Sequence, residues 1–258
     1  MLLSQFIQLT MSKTLGGFLF IKDGIKFDYN FKETIECLLE FCDEVVCIDV
    51  GSTDETAQVI RGIKDNKLIK IFLPGSKWEE IHGREKLAHF QNMAAEFLST
   101  DYQFLLQADE VVDPSSYPAI RAAIETGKEG FMGTRINLWG SPGTYLTVPQ
   151  NRMPCSPQVV RLTKVGYKTY DDGENIGCNP DMSLVDDIVI WHYGFVRKKE
   201  VMKAKIINMQ ESVFEIDHDP KLDGMEIFDS TKWFNGDDLA AITRPHPPIM
   251  KQWVAARL

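Results

Sequence analysis

Along the first part of the chain, short apolar runs alternate with longer stretches whose apolar positions fall at helical spacing. Phe18-Leu19-Phe20-Ile21 follows Gly16-Gly17 and ends at the turn Lys22-Asp23-Gly24, which predicts a first strand. From Phe31 to Phe41 the positions Ile35, Leu38 and Leu39, continuing to Cys42, predict a helix, which Asp43-Glu44 ends. Val45-Val46-Cys47-Ile48 is a second buried strand running into Asp49. Ser52, with Glu55 three residues on, has the spacing of a helix N-cap and capping box, and Ala57, Val59, Ile60 and Ile63 continue that helix. Ile69-Lys70-Ile71-Phe72 predicts a third strand closed by Pro74-Gly75. A long amphipathic helix from Arg84 to Leu98 then carries Leu87, Phe90, Met93, Ala94 and Phe97 on one face. It leads into Phe104-Leu105-Leu106, which breaks into Gln107-Ala108-Asp109-Glu110 and resumes as Val111-Val112. This β-α-β-α-β-α-β order predicts an α/β fold with a mostly parallel central sheet flanked by helices. Ligands of such sheets bind outside the carboxyl ends of the strands, where Asp109 and Glu110 emerge.

Past Asp113-Pro114 the order changes. A helix is predicted from Ser116 to Thr126, then strands from Gly130 to Leu138, Val159 to Thr163 and Ile188 to Trp191, separated by long polar loops of the kind that carry substrate contacts. A helix from Arg197 to Phe214 opens on the basic cluster Arg197-Lys198-Lys199. The Pro-rich turn Arg244-Pro245-His246-Pro247-Pro248 precedes a last helix from Ile249 to Leu258, packed back on the body.

The 258 residues, 44% hydrophobic and 25% charged, suit one sizeable soluble domain with an appendage. A net charge of −9 argues against a nucleic-acid partner. The N-terminal run from Met1 to Thr10 has no basic flank and is interrupted by Gln5 and Gln8, so a signal peptide is not expected. No window approaches the roughly 18 consecutive apolar residues of a transmembrane segment. Five cysteines, Cys37, Cys42, Cys47, Cys155 and Cys178, form no C-x-x-C pair and no even disulfide set, which points to reduced thiols and a cytoplasmic location.

Asp109 and Glu110 are hard oxygen ligands, suited to Mn²⁺ or Mg²⁺ holding a diphosphate. Here the residues meet a family. The run from Val45 to Thr56, with Asp49-Val50-Gly51-Ser52-Thr53-Asp54, resembles the Asp-x-Gly-Ser-x-Asp segment of family 2 glycosyltransferases, which have the GT-A fold. Leu106-Gln107-Ala108-Asp109-Glu110 stands where those enzymes carry D-x-D, here in a Q-A-D-E form. Phe90-Gln91-Asn92-Met93-Ala94-Ala95 resembles their Asn-bearing helix, and His192-Tyr193-Gly194-Phe195-Val196-Arg197 their His-Tyr-Gly segment. Two departures stand out: Gln107 offers only a neutral oxygen in place of the first acid, and Val50 replaces the acid that often contacts the nucleobase.

The resemblance implies a GT-A domain over residues 1–196, with a nucleotide-sugar half at about 16–113 and an acceptor half at about 114–196, followed by a C-terminal helical extension, 197–258, packed on the same domain. It implies an inverting glycosyltransferase assisted by Mn²⁺ or Mg²⁺, taking a nucleotide-diphosphate sugar donor and a glycan, lipid-linked or other hydroxyl acceptor, with a homo-oligomer left open. Asp109, Glu110 and His192 are the implied metal ligands. Asp49, Gly51, Ser52, Asn92, Gln107 and Ala108 are implied at the nucleotide sugar, and Arg84, Lys86 and Arg197 are candidates to neutralise its diphosphate. An inverting transfer needs a carboxylate base. The loop Tyr170-Asp171-Asp172-Gly173-Glu174-Asn175 offers three, with Asp172 ahead of Asp171 and Glu174. Two alternatives are weighed: an S-adenosylmethionine-dependent methyltransferase using the Asp49-Val50-Gly51 turn, and a non-catalytic sugar-nucleotide-binding protein on the same fold.

Overall fold

A computed structural model describes residues 12–147, 156–177, 182–217 and 238–258. The N-terminal run, Cys155 and Cys178 lie outside the described residues. The first half is the predicted alternation: β1 (Leu15–Ile21), α1 (Phe31–Phe41), β2 (Glu44–Val50), α2 (Thr56–Gly62), β3 (Leu68–Leu73), α3 (Ser76–Glu79), α4 (Glu85–Ala95) and β4 (Tyr102–Leu105). The pairs β1–β2, β2–β3 and β1–β4 are all parallel, giving the order β3-β2-β1-β4.

Side-chain alternation along these strands splits the core into two layers. Leu15, Leu19 and Ile21 of β1 and Val45 and Cys47 of β2 pack with Phe31, Ile35 and Leu38 of α1. Phe18, Val46, Ile48 and Val50 face the other way, onto Trp78, Phe90 and Ala94. Both faces are covered, so β1 and β2 read as continuous apolar runs. Cys37, Cys42 and Cys47 are free thiols within this interior, and burial raises the pKa of each.

The predicted capping box does not form. α2 begins at Thr56, and its N-cap Glu55 makes no side-chain cap bond. Ser52 instead donates to Asp49 Oδ1 and accepts from Asp23 N at 2.8 Å, so the Gly51–Asp54 segment is a tied loop rather than a helix start.

The second half adds β5 (Glu110–Val112), α5 (Tyr117–Glu125), β6 (Gly130–Trp139), β7 (Ser141–Leu146), β8 (Gln158–Lys164), β9 (Ser183–Phe195), α6 (Lys199–Ser212), β10 (Leu239–Ala241) and α7 (Lys251–Ala255). β8 runs antiparallel to β4, β6 to β8, β7 to β6 and β10 to β7. β9 lies parallel to β6 and antiparallel to β5. β7 was not predicted, because Ser141-Pro142-Gly143 is poor strand sequence. β9 starts earlier than its apolar run, through exposed Asp186 and Asp187. The stretch expected as a purely helical extension supplies β10 to the sheet, while Met250 and Val254 return to the core beside α1. Among the described residues no helix is long and apolar enough to cross a membrane.

Candidate active site

β4 ends at Leu105, and the chain turns through Gln107 and Ala108 before β5 begins at Glu110. The antiparallel register Glu110↔His192, with Tyr193 N donating to Asp109 O at 2.8 Å, brings the end of β9 beside Asp109. A cavity of about 530 Å³ opens at this sheet edge, and Gln107, Ala108, Asp109, Asp172, Glu174 and His192 all line it. Its wall is otherwise largely apolar, with Trp78 and Phe20 on one side, Trp139 and Phe195 on another, and Met202, Ile206 and Met209 of α6 across it.

Asp109 is the charged centre of that cavity and only 4% exposed. Its Oδ2 accepts from Lys205 Nζ at 3.0 Å and lies 3.3 Å from Arg197 Nη2. Burial alone would raise its pKa, but Lys205, His192 and Arg197 together hold the carboxyl well below the usual carboxylate range. Asp109 Oδ1 faces His192 Nε2 across 3.7 Å. His192 Nδ1 bonds Asn137 Oδ1 at 2.9 Å, and since that oxygen only accepts, Nδ1 carries the proton and Nε2 keeps its lone pair. Burial pulls the His192 pKa down to about 3 against the opposing charge of Asp109, so the ring is neutral at pH 7.

Two electron-pair donors thus face each other with no hydrogen between them. Beside them sits Gly194, where a Cβ would fall 2.1 Å from His192 Nε2 and 3.1 Å from Asp109 Oδ2. The missing side chain keeps that space open. A carboxylate oxygen, an imidazole nitrogen and room beside both could hold a divalent ion. Among the described residues no group of three or more His, Cys, Asp and Glu side chains gathers at one point.

Glu110, expected as a metal ligand, is turned away from the cavity. It is fully buried; Arg161 reaches its carboxylate through Nη2 at 2.7 Å and Nε at 3.1 Å, and Arg135 Nη1 lies 3.3 Å away. Gln107 N donates to it at 3.0 Å. The two guanidiniums then reach Glu174: Arg135 bonds its carboxylate and Arg161 its carbonyl. Gln107 Nε2 adds a third bond to Glu174, at 3.1 Å. Glu110 is therefore the buried anion of a network that aims Glu174 and Gln107, and its lone pairs are already in use.

The other expected site residues divide in the same way. Glu174 lines the cavity, but although burial would raise its pKa, Arg135 and Arg161 hold it low, which makes it a poor proton acceptor. Asp172 lines the cavity with its side chain 30% exposed; Arg84 Nη2 lies 3.4 Å from its Oδ2, and Glu174 N donates to its Oδ1 at 3.2 Å. Asp171, with φ +55°, points to Arg84 at 2.9 Å and is not part of the wall. Arg84 is thus engaged with the loop acids. Lys86 is buried, donates to Ser212 O at 2.7 Å and lies over the Trp78 ring, which fastens α4 to α6 rather than lining the cavity. Asn92 spends its amide on the backbone of Thr169, accepting from N at 2.8 Å and donating to O at 2.9 Å; it positions the acidic loop and makes no part of the wall. Arg197 is buried and clasps Phe27 O and Gly194 O as well as Asp109.

Asp49, Gly51 and Ser52 stand at the same sheet edge but outside the cavity wall, joined to it through Lys22, whose Nζ donates to Gly51 O at 3.0 Å. Gly51 has φ +62°, and a Cβ there would meet the backbone of Gly75 at 2.4 Å. The turn therefore requires glycine for packing as well as conformation. Sequence reasoning missed Lys205, Arg135, Arg161, Asn137 and the open position at Gly194. Arg135 and Arg161 carried a readable signal, since each is a charge inside an apolar strand run.

A mostly parallel β3-β2-β1-β4 core with helices on its faces is the GT-A fold that the sequence led one to expect. Residues 30–185 match the family described as Glycosyl transferase family 2, and the chain belongs to that family. The methyltransferase alternative falls with that match. No curated protein matches the chain. Among solved structures, it is similar to S. aureus TarS 1-349, at 13% identity over 81% of this chain and 67% of that one, with a TM-score of 0.44. The longer S. aureus TarS gives 15% identity, 81% and 41% coverage and a TM-score of 0.47. The complex of TarS 1-349 with UDP-GlcNAc gives 13%, 81%, 68% and 0.45.

Proposed function

We propose that this glycosyltransferase takes its sugar from a nucleoside-diphosphate donor and passes it, with inversion, to an acceptor hydroxyl, with help from Mn²⁺ or Mg²⁺. The observation that carries this reading is the facing pair of Asp109 Oδ1 and His192 Nε2, 3.7 Å apart in the cavity at the carboxyl edge of the sheet. Those two atoms would hold the ion, which when bound neutralises the diphosphate and stabilises the charge it gains on leaving. Asp172 is the base: it takes the proton from the acceptor hydroxyl while that oxygen attacks the anomeric carbon and the bond from carbon to diphosphate oxygen breaks. Glu174, locked by Arg135 and Gln107, orients the acceptor as a hydrogen-bond acceptor without taking its proton. The apolar lining formed by α6 excludes water, which would otherwise compete for the sugar.

The experiment is release of nucleoside diphosphate from a panel of nucleotide sugars, with and without Mn²⁺, by the wild-type chain and by Asp109→Asn. Metal-stimulated release by the wild type and its loss in the variant are expected. Equal release by both would remove Asp109 from the chemistry.

A further inference from the structure

We infer that Gln91 is an acceptor-specificity residue and that the acceptor is a sugar or polyol, which gives one hydroxyl to Gln91 Oε1 while a neighbouring hydroxyl attacks the donor. The inference rests on the transferase reading above and deepens it by naming what the acceptor must carry.

Gln91 stands on α4, one residue before Asn92, and lines the cavity although it is only 3% exposed. Its Oε1 is sealed from water and finds no hydrogen-bond partner among the described residues. A buried amide oxygen left in that state is a cost to the fold, which a ligand that donates to it removes. The amide faces Gly173, whose φ is +72°; a Cβ there would fall 2.6 Å from Gln91 Oε1 and 2.9 Å from its Nε2. Glycine at 173 therefore serves the backbone and leaves the amide its place. Adjacent side chains of α4 thus meet the acidic loop at two points, Asn92 at Thr169 and Gln91 at Gly173.

Asp172 and Glu174 flank that glycine, and the bond from Glu174 N to Asp172 Oδ1 folds the loop tightly around it. Two carboxylates and an amide oxygen on one short stretch of wall are all hydrogen-bond acceptors, so the ligand that suits them brings several O–H donors. A peptide hydroxyl brings one, whereas a sugar or polyol brings neighbouring ones. The apolar face of a sugar ring also has a surface to meet, since Leu87 and Phe214 line the same cavity. Arg84 sets Phe214 beside the loop: it pairs with Asp171 and Asp172 and lies 5.8 Å from the Phe214 ring. The last torsion of a glutamine is broad, and with no bond at Oε1 to break, a small rotation turns that oxygen from Gly173 to the ligand. An acceptor lacking the second hydroxyl leaves the amide unpaired and is rejected for that reason.

The test is release of nucleoside diphosphate from the best nucleotide-sugar donor by wild type and Gln91→Met, with methyl α-D-glucopyranoside, methyl β-D-galactopyranoside, glycerol and cyclohexanol as acceptor probes. Wild-type release is expected to rise about fivefold or more with at least one polyhydroxylated probe and less than about twofold with cyclohexanol. For the best probe, Gln91→Met should raise the acceptor KM about tenfold or more while kcat stays within about threefold. Its nucleoside-diphosphate affinity, by titration calorimetry, should stay within about twofold, and its Tm should lie no more than about 1 °C below that of wild type, because the empty protein loses no hydrogen bond at Oε1. A merely structural role would lower Tm and kcat together. An acceptor KM within about twofold of wild type would overturn the inference, as would a loss of nucleotide affinity as large as the rise in KM, which would make Gln91 a donor contact. Release stimulated by cyclohexanol as strongly as by the sugars, or by none of the polyhydroxylated probes, would overturn it and leave the donor reading standing. No release from any nucleotide sugar would overturn both.

Discussion

Lowering the pH from 7 to 5 should cost this protein stability through His192. The folded-state pKa of His192 is depressed to about 3, while an unfolded histidine titrates near 6.5. Between those values the unfolded chain binds a proton that the folded chain does not, so the stability His192 contributes is complete above about 6.5 and is lost as the pH falls toward 3. At pH 5 the unfolded ring is protonated across roughly 1.5 pH units, and at roughly 1.4 kcal/mol per unit the loss is about 2 kcal/mol. Any folded value below about 4 gives the same figure, because the folded ring is then neutral at pH 5 in every case. With a urea m-value near roughly 3 kcal/mol/M, the midpoint falls by about 0.7 M. Asp109 stays ionised at pH 5 and adds little to the change, and His246 acts alike in wild type and variant. The assay is urea denaturation at pH 7 and pH 5 for wild type and His192→Gln. Reading the difference between the two pH values removes any constant cost of the substitution. The variant should lose about 2 kcal/mol less than wild type over the interval. Parallel losses, within about 0.5 kcal/mol, would mean that His192 titrates normally in the fold and is not held neutral beside Asp109.

Glu110→Gln leaves the buried Arg161 and Arg135 short of an anion and should destabilise by about 3–5 kcal/mol. Calorimetry should then show a drop in Tm of roughly 6–20 °C, and a drop below about 2 °C would return Glu110 to the role of a ligand. Asp172→Asn should leave nucleoside-diphosphate affinity within about twofold and slow transfer by about a hundredfold or more, measured as sugar transferred to acceptor; normal transfer would point to another base.

The fold was legible because its first half is nearly pure pattern. Buried on both faces, β1 and β2 announce themselves as apolar runs, and α1 starts where predicted, at Phe31, and stops at Phe41, one residue before the last expected position, Cys42. The start of α2 was misplaced because Ser52 had a competing partner, Asp49, three residues upstream, which no helix rule anticipates. β7 and the amino-terminal part of β9 were missed because pairing, not side-chain burial, makes them strands. At the site, Asp109 stood out by the apolar approach on either side of it. The different fates of Asp109 and Glu110 could not be read from adjacent positions. They are decided by Arg161 and Arg135, which lie on β8 and β6 and meet Glu110 only once the sheet is assembled. Lys205 gave no signal, since α6 mixes apolar and charged residues along its length and its cavity-facing side is set by tertiary packing.

The chain of contacts from Glu110 through the two arginines to Glu174 also constrains how this enzyme can diverge. Each position answers for a neighbour's charge, so a lone replacement at 110, 135 or 161 strands an ion in the interior, while a concerted exchange of all of them for apolar side chains would be tolerated by the scaffold and lose the grip on Glu174. These four positions are therefore expected to change together, so that homologues altering one of them carry matching changes at the others.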